Sequence, residues 1–184
     1  MIPLLFLTAD GVPDEGILDT SIAALAEGDL SALTPLYSET RTAVFAYALS
    51  ILKNAQDAED VMHDLYLTVY NSAAKYNSKG KPMAWIITIT KNLCLKRLRD
   101  RGKTADIPEE DYLLYITKNE GLTPDERLIL EECLSSLSDT ERQIVVLHAV
   151  AGFKHKEIAQ ICDLPLSTVL SKYSRAISKL KKLL

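Results

Sequence analysis

Cysteine is scarce in this chain of 184 residues: Cys94, Cys133 and Cys162 are an odd number, far apart, with no Cys-x-x-Cys pair and no Cys/His cluster at zinc spacing. That excludes a disulfide framework and a structural metal site, and makes a reducing cytoplasm the expected compartment. Long apolar runs are missing as well. The opening stretch Ile2 to Leu7 is about a third of the roughly 20 residues that a bilayer span requires, and lacks both a basic flank and a small-residue cleavage site. No membrane insertion and no targeting role is expected of it. Nor is there a run of β-branched residues alternating with polar ones between hairpin turns, so the chain should be all-α. With 47% hydrophobic residues it is not disordered throughout.

What is present is charge sorted along the chain. The total is only −4. Residues 1–31 carry six acids and no base, and residues 32–74 carry five acids against two bases. Residues 75–103 reverse the sign, with nine bases against one acid. Residues 104–132 return to nine acids against two bases, and residues 154–184 end the chain with seven bases against two acids. Two basic regions separated by an acidic one predict two separate contacts with a polyanion.

Apolar periodicity divides the chain. Leu33, Leu36, Val44, Tyr47 and Ile51 recur at helical spacing, and that helix should end near Lys53 and Asn54. Ala58, Val61, Leu65 and Val69 form a second stripe. A third helix opens at Pro82, whose missing N–H is unneeded in a first turn, and carries Ile86, Ile89 and Leu93 inward. A short helix around Ser21 to Ala26 completes a first domain over 21–101, after a tail of residues 1–20. Residues 102–122, with Pro108, Gly121 and an acidic run, read as a linker with one apolar patch at Tyr112 to Ile116. Thr123 and Ser138, each followed three residues on by a glutamate, then open two helices of a second domain over 123–184. A helix from about His155 to Cys162, a turn at Asp163 to Pro165 and a long basic final helix predict a helix-turn-helix.

Three constellations carry function. On the final helix Val169, Tyr173, Ala176, Leu180 and Leu183 share one face, while Lys172, Arg175, Lys179 and Lys182 share another; Ser167 and Thr168 sit in the first turn, whose free N–H groups favour phosphate. Around Tyr76 to Lys103, a polar loop with Asn77, Lys79 and Lys81 precedes a helix bearing Trp85, Lys91, Asn92, Lys96 and Arg97. Positive charge beside aromatic rings and amides suits capture of an unstacked base. Asp57, Asp60 and Asp64 lie along one helical face, a surface of the wrong sign for DNA and the right sign for a basic protein. A rival reading of that face is metal, since Asp60-x-x-His63 mimics a carboxylate-histidine element of di-iron bundles and His63-Asp64 is a dipeptide of metal phosphohydrolases. Such a site needs a matching element, and Val145 and Gly152 stand three residues before His148 and His155. No enzyme and no cofactor is expected.

From about Ser21 to Leu184 the chain resembles bacterial sigma factors of the small, two-domain extracytoplasmic-function group. The resemblance rests on DAEDVMHDLYLTVY (57–70), YNSKGKPMAWIITITKN (76–92) and EIAQICDLPLSTV (157–169), in that order. It implies that Asp57, Asp60, His63, Asp64 and Tyr66 face RNA polymerase core, at the clamp of the beta-prime subunit, with the beta subunit a further partner. It implies that Asn77, Lys79, Lys81 and Trp85 meet the minus-ten element of promoter DNA, one melted base entering the loop, and that Lys91, Asn92, Lys96 and Arg97 follow the strand. Ser167, Thr168, Lys172, Arg175 and Lys179 would enter the major groove at the minus-thirty-five element, and an inhibitory anti-sigma protein is a common partner of the group. Leu170 stands where a basic residue is usual, Ile177 replaces another frequent arginine, Lys154 stands where a capping serine is usual, and Asp163 replaces a turn glycine. The alternative is a stand-alone helix-turn-helix regulator that binds duplex DNA as a dimer. The acidic tail and linker are expected to compete for the basic faces in the free protein.

Overall fold

The computed structural model describes residues 12–77, 80–101 and 135–183, without the side chain of Leu183, and every regular element among them is helical. Helix α1 (Glu15–Ala26) starts six residues before the expected Ser21. Asp14 caps it, its Oδ1 accepting from the N–H groups of Gly16 at 2.8 Å and Ile17 at 3.1 Å, and Leu18 is fully buried. Gly16 lies in the first turn, where its conformational cost is offset by the aspartate cap. The part of the expected tail from Glu15 onward is therefore helical, and its Leu18 joins the core.

Gly28, at φ 91°, turns the chain through a short 3-10 segment (Leu30–Ala32) into α2 (Leu33–Leu52). That helix stops where expected, with Lys53 in the left-handed region at φ 53°. Asn54 accepts from the Asp57 N–H at 2.9 Å and opens α3 (Ala55–Ser72). A second 3-10 turn (Ala73–Lys75) leads to the basic loop and α4 (Pro82–Arg101), which begins at the predicted proline. Val44, Tyr47, Leu65, Val69, Ile86 and Ile87 are fully buried where these helices meet.

In the second domain Ser138 and Glu141 form the predicted reciprocal cap of α5 (Asp139–Ala149). Helix α6 (His155–Cys162) and α7 (Leu166–Leu183) follow, with Asp163 at φ 59° and the Leu164 N–H donating to the Ala159 carbonyl at 2.9 Å to close the turn. The expected helix start at Thr123 and the apolar patch at Tyr112 to Ile116 lie outside the described residues.

The two domains are docked. Helix α2 packs along α5, α4 touches α6, and one buried cluster runs from Leu18 and Tyr47 through to Ile144, Leu147 and Ile158. Polar contacts decorate this junction, among them Lys53 to Asp139 at 3.0 Å. Exposed pairs of that kind contribute about 0–1 kcal/mol, whereas each fully buried Leu or Ile contributes about 1.5–3 kcal/mol. Apolar burial holds the closed arrangement.

Candidate nucleic-acid and protein interfaces

Helix α3 divides its acids between interior and surface. Asp57 is only 6% exposed: one carboxylate oxygen accepts from Arg97 Nε at 3.0 Å and Nη2 at 2.9 Å, and the other pairs with Arg101. Arg97 also pairs with Asp60. This network ties α3 to α4, so Asp57 does not offer the outward charge expected of it, and Arg97 is shared between two carboxylates. His63 and Asp64 are exposed. Tyr66 is half-buried, its hydroxyl 2.9 Å from Thr40 Oγ1 and its ring 5.2 Å from that of Tyr37; burial pushes its phenol up to about 12.

Beside His63 runs an apolar groove of about 790 Å³ between α2 and α3, lined by Leu30, Leu33, Tyr37, Leu67 and Tyr70 among others. Leu67 is 63% exposed and Leu30 57%. Sequence reading gave Leu30, Leu67 and Tyr70 no role and placed Leu33 and Tyr37 on an apolar helical stripe. The available signal was the excess of apolar residues in Leu65 to Tyr70 over what one inward stripe needs.

The loop before α4 and α4 itself carry the second constellation. Ser78 and Lys79 lie outside the described residues, and Asn77 is exposed. Glu15 of α1 accepts from the Met83 N–H at 3.1 Å, satisfying one of the free donors of the first turn of α4. Trp85 is half-buried, 4.7 Å from the ring of Tyr76, whose hydroxyl donates to Asp19 at 3.0 Å. Asn92 and Lys96 lie on the solvent side with Leu95, Leu98 and Arg99.

Two cations of this region are engaged by the second domain. Lys81 Nζ lies 3.0 Å from Glu157 Oε1, and Lys91 Nζ donates to the Ile161 carbonyl at 2.7 Å, near the negative end of α6. Glu157 has a second task. Its other oxygen accepts from the Lys154 N–H at 3.0 Å, supplying the half of the N-terminal cap that a lysine, which has no acceptor, still permits.

In the helix-turn-helix the rings of His148, His155 and Tyr173 join α5, α6 and α7, with the two imidazoles stacked at 4.6 Å and the phenol edge-on to both. Burial, then His148, pushes His155 below the ordinary histidine range. Val169, Ala176 and Leu180 are buried as the periodicity requires. Ser167 and Arg175 are exposed, Thr168 and Lys172 half-buried. Arg175 lies along its own helix, Nε donating to the Ser171 carbonyl at 3.2 Å. Lys179 turns inward to Glu141, 2.7 Å away. Burial would raise the Glu141 carboxyl, but Lys179 and the Ser138 N–H and hydroxyl hold it at about 2. Lys179 therefore anchors α7 to the start of α5.

The stretch that holds α2 to α4 and the stretch that holds α5 to α7 match two regions of a known family. The family model for sigma-70 region 2 matches residues 36–104, and that for sigma-70 region 4 matches residues 127–180. An extracytoplasmic-function RNA polymerase sigma factor SigK of Mycobacterium sp. strain KMS is 28% identical over all of this chain and 95% of its own. Its counterpart in Mycobacterium ulcerans is also 28% identical, over 91% of this chain and 93% of its own. Among solved structures, the sigma factor RpoE of Bartonella quintana, in complex with the anti-sigma factor NepR, superposes with a TM-score of 0.65 at 22% identity, covering 84% of this chain and 97% of that one. CnrH, in complex with the cytosolic domain of CnrY, gives 0.61 at 21% identity, covering 91% and 96%. With both its domains matched in order and relatives aligned from end to end, the chain belongs to the sigma-70 family of RNA polymerase sigma factors, in its extracytoplasmic-function group.

Proposed function

We propose that this sigma factor, which binds RNA polymerase core and directs promoter recognition without catalysis of its own, divides its contacts by surface. The exposed residues His63 and Asp64, with Asp60 and the Leu67 groove beside them, meet the beta-prime clamp. Asn77, Lys79, Lys81 and Trp85 take the melted minus-ten base, with Lys91, Asn92 and Lys96 along the strand. Ser167, Thr168, Lys172 and Arg175 enter the major groove at the minus-thirty-five element. The first domain runs from Glu15 to Arg101, residues 102–122 link it to the second, and the factor works in the cytoplasm. An anti-sigma protein is a further partner, on the example of the complex of RpoE with NepR above.

One observation carries this reading: two cations beside the melting loop, Lys81 and Lys91, are engaged by α6 of the other domain. In the closed form Lys81 and Lys91 answer to α6, so part of the minus-ten surface is engaged in the free protein while Asn77, Asn92 and Lys96 stay exposed. Core polymerase, by gripping α3, separates the domains and tethers both readers to one duplex, where two weak contacts gain effective concentration. The test is reconstitution. Core polymerase with this chain should initiate at a subset of a promoter library that core alone leaves silent; no selective initiation would overturn the reading.

A further inference from the structure

Helix α7 exposes leucine where a nucleic-acid reader has little reason to carry it. Leu170 is 47% exposed and Leu166, one turn earlier, 42%. The inward face of the helix is already complete with Val169, Tyr173, Ala176 and Leu180, so these leucines are not displaced core. Leu170 borders a strip of exposed short hydroxyl side chains, Ser167, Ser171 and Ser174, and Arg175 borders it on the other side. Among the described contacts, those of α7 are with α5 and α6, and this strip stays open even while the domains are docked.

Serines let a helix approach a groove closely, and a leucine at the edge of that strip offers no donor or acceptor. In a major groove the one apolar feature that distinguishes a base is the C5-methyl group of thymine. A basic residue at this place would add affinity for phosphate or guanine without that preference. We propose that Leu170, with Leu166 beside it, reads a thymine methyl in the upstream promoter element, and that Arg175 supplies the neighbouring polar contact. The inference rests on α7 being the upstream reader. It makes Leu170 a specificity-determining residue whose contribution is apolar and insensitive to salt.

The experiment uses holoenzyme assembled from core polymerase and the full chain. The upstream element is first selected from a randomised library, and each selected thymine is then replaced by deoxyuridine, which removes only the methyl group. At one position the replacement should lower promoter binding about fourfold for the wild type, the value of one buried methyl, and less than twofold for Leu170→Ala. Leu170 is 47% exposed, lies off the buried face of α7, and alanine favours helix, so that variant keeps its fold. Selected elements without thymine, or deoxyuridine tolerated at every position by the wild type, would overturn the proposal while leaving α7 as the reader. Indifference of initiation to both the upstream sequence and Arg175→Ala would overturn the reading of α7 itself, and the proposal with it.

Discussion

The two basic regions of this sigma factor look alike in composition and differ in availability. On α4 and its loop, Lys81 and Lys91 are held by the second domain and Arg97 by two carboxylates of α3. On α7 only Lys179 is drawn inward, and the strip from Leu170 to Arg175 faces solvent. Positive charge by itself therefore does not mark a ready nucleic-acid surface. What counts is whether a carboxylate or a helix end already occupies the cation: Lys81, Lys91 and Arg97 of the first basic region are engaged, whereas Leu170, Ser171 and Arg175 of α7 are exposed.

The comparison breaks completely if polymerase binding is lost, because neither reader then works. Asp60→Lys with Asp64→Lys should reduce capture by core polymerase at least about 100-fold in a pull-down titration, with the helical circular dichroism signal retained; undiminished capture would remove α3 from the clamp interface. Arg175→Ala tests the open reader alone. It should weaken use of the upstream element by about 1–3 kcal/mol if the guanidinium contacts a base, read as promoter affinity of the holoenzyme, and leave minus-ten preference unchanged.

Acid should loosen the second domain ahead of the first. His155 is held below the usual histidine value of 6.5 and Glu141 at about 2 against an ordinary 4.5, so at both sites the unfolded chain binds protons before the folded one. Stability is thus full above about pH 6.5. It falls first as pH drops through the histidine range, and again between about 4.5 and 2. Chemical denaturation at stepped pH should show the midpoint falling across both windows, and His155→Phe should flatten the first. The smallest effect belongs to the closed reader: Glu157→Gln frees Lys81 from an exposed pair, and should raise low-salt DNA binding by the free protein about threefold, an effect that vanishes at high salt.

Helix boundaries were legible because their causes are local. Pro82 at a first turn, Ser138 with Glu141, and Lys53 at a C-terminus act within four residues and appear as read. The helix read from Ser21 begins six residues earlier, at the Asp14 cap. Pairing across the bundle was out of reach. Asp57 and Arg97 are forty residues apart, and each alone looks like a surface charge. The same pairing bears on the metal reading, since Asp60 is turned to Arg97 and not to a second ligand set. Lys179 was counted as a groove contact for the same reason, as its partner Glu141 lies on another helix. The expected competition from tail and linker falls mostly outside the described residues. Within them, Lys81 and Lys91 are engaged by α6.

Sequence by itself determined the all-helical class, the order of its elements and the two regions of positive charge, because capping, periodicity and net charge are properties of neighbouring residues. Tertiary structure alone decided which charges remain outward, that one apolar core runs through both domains, and that Leu30, Leu67 and Tyr70 converge on a groove. Those outcomes depend on distances between groups far apart in the chain, which only packing brings within reach of a hydrogen bond or out of contact with water.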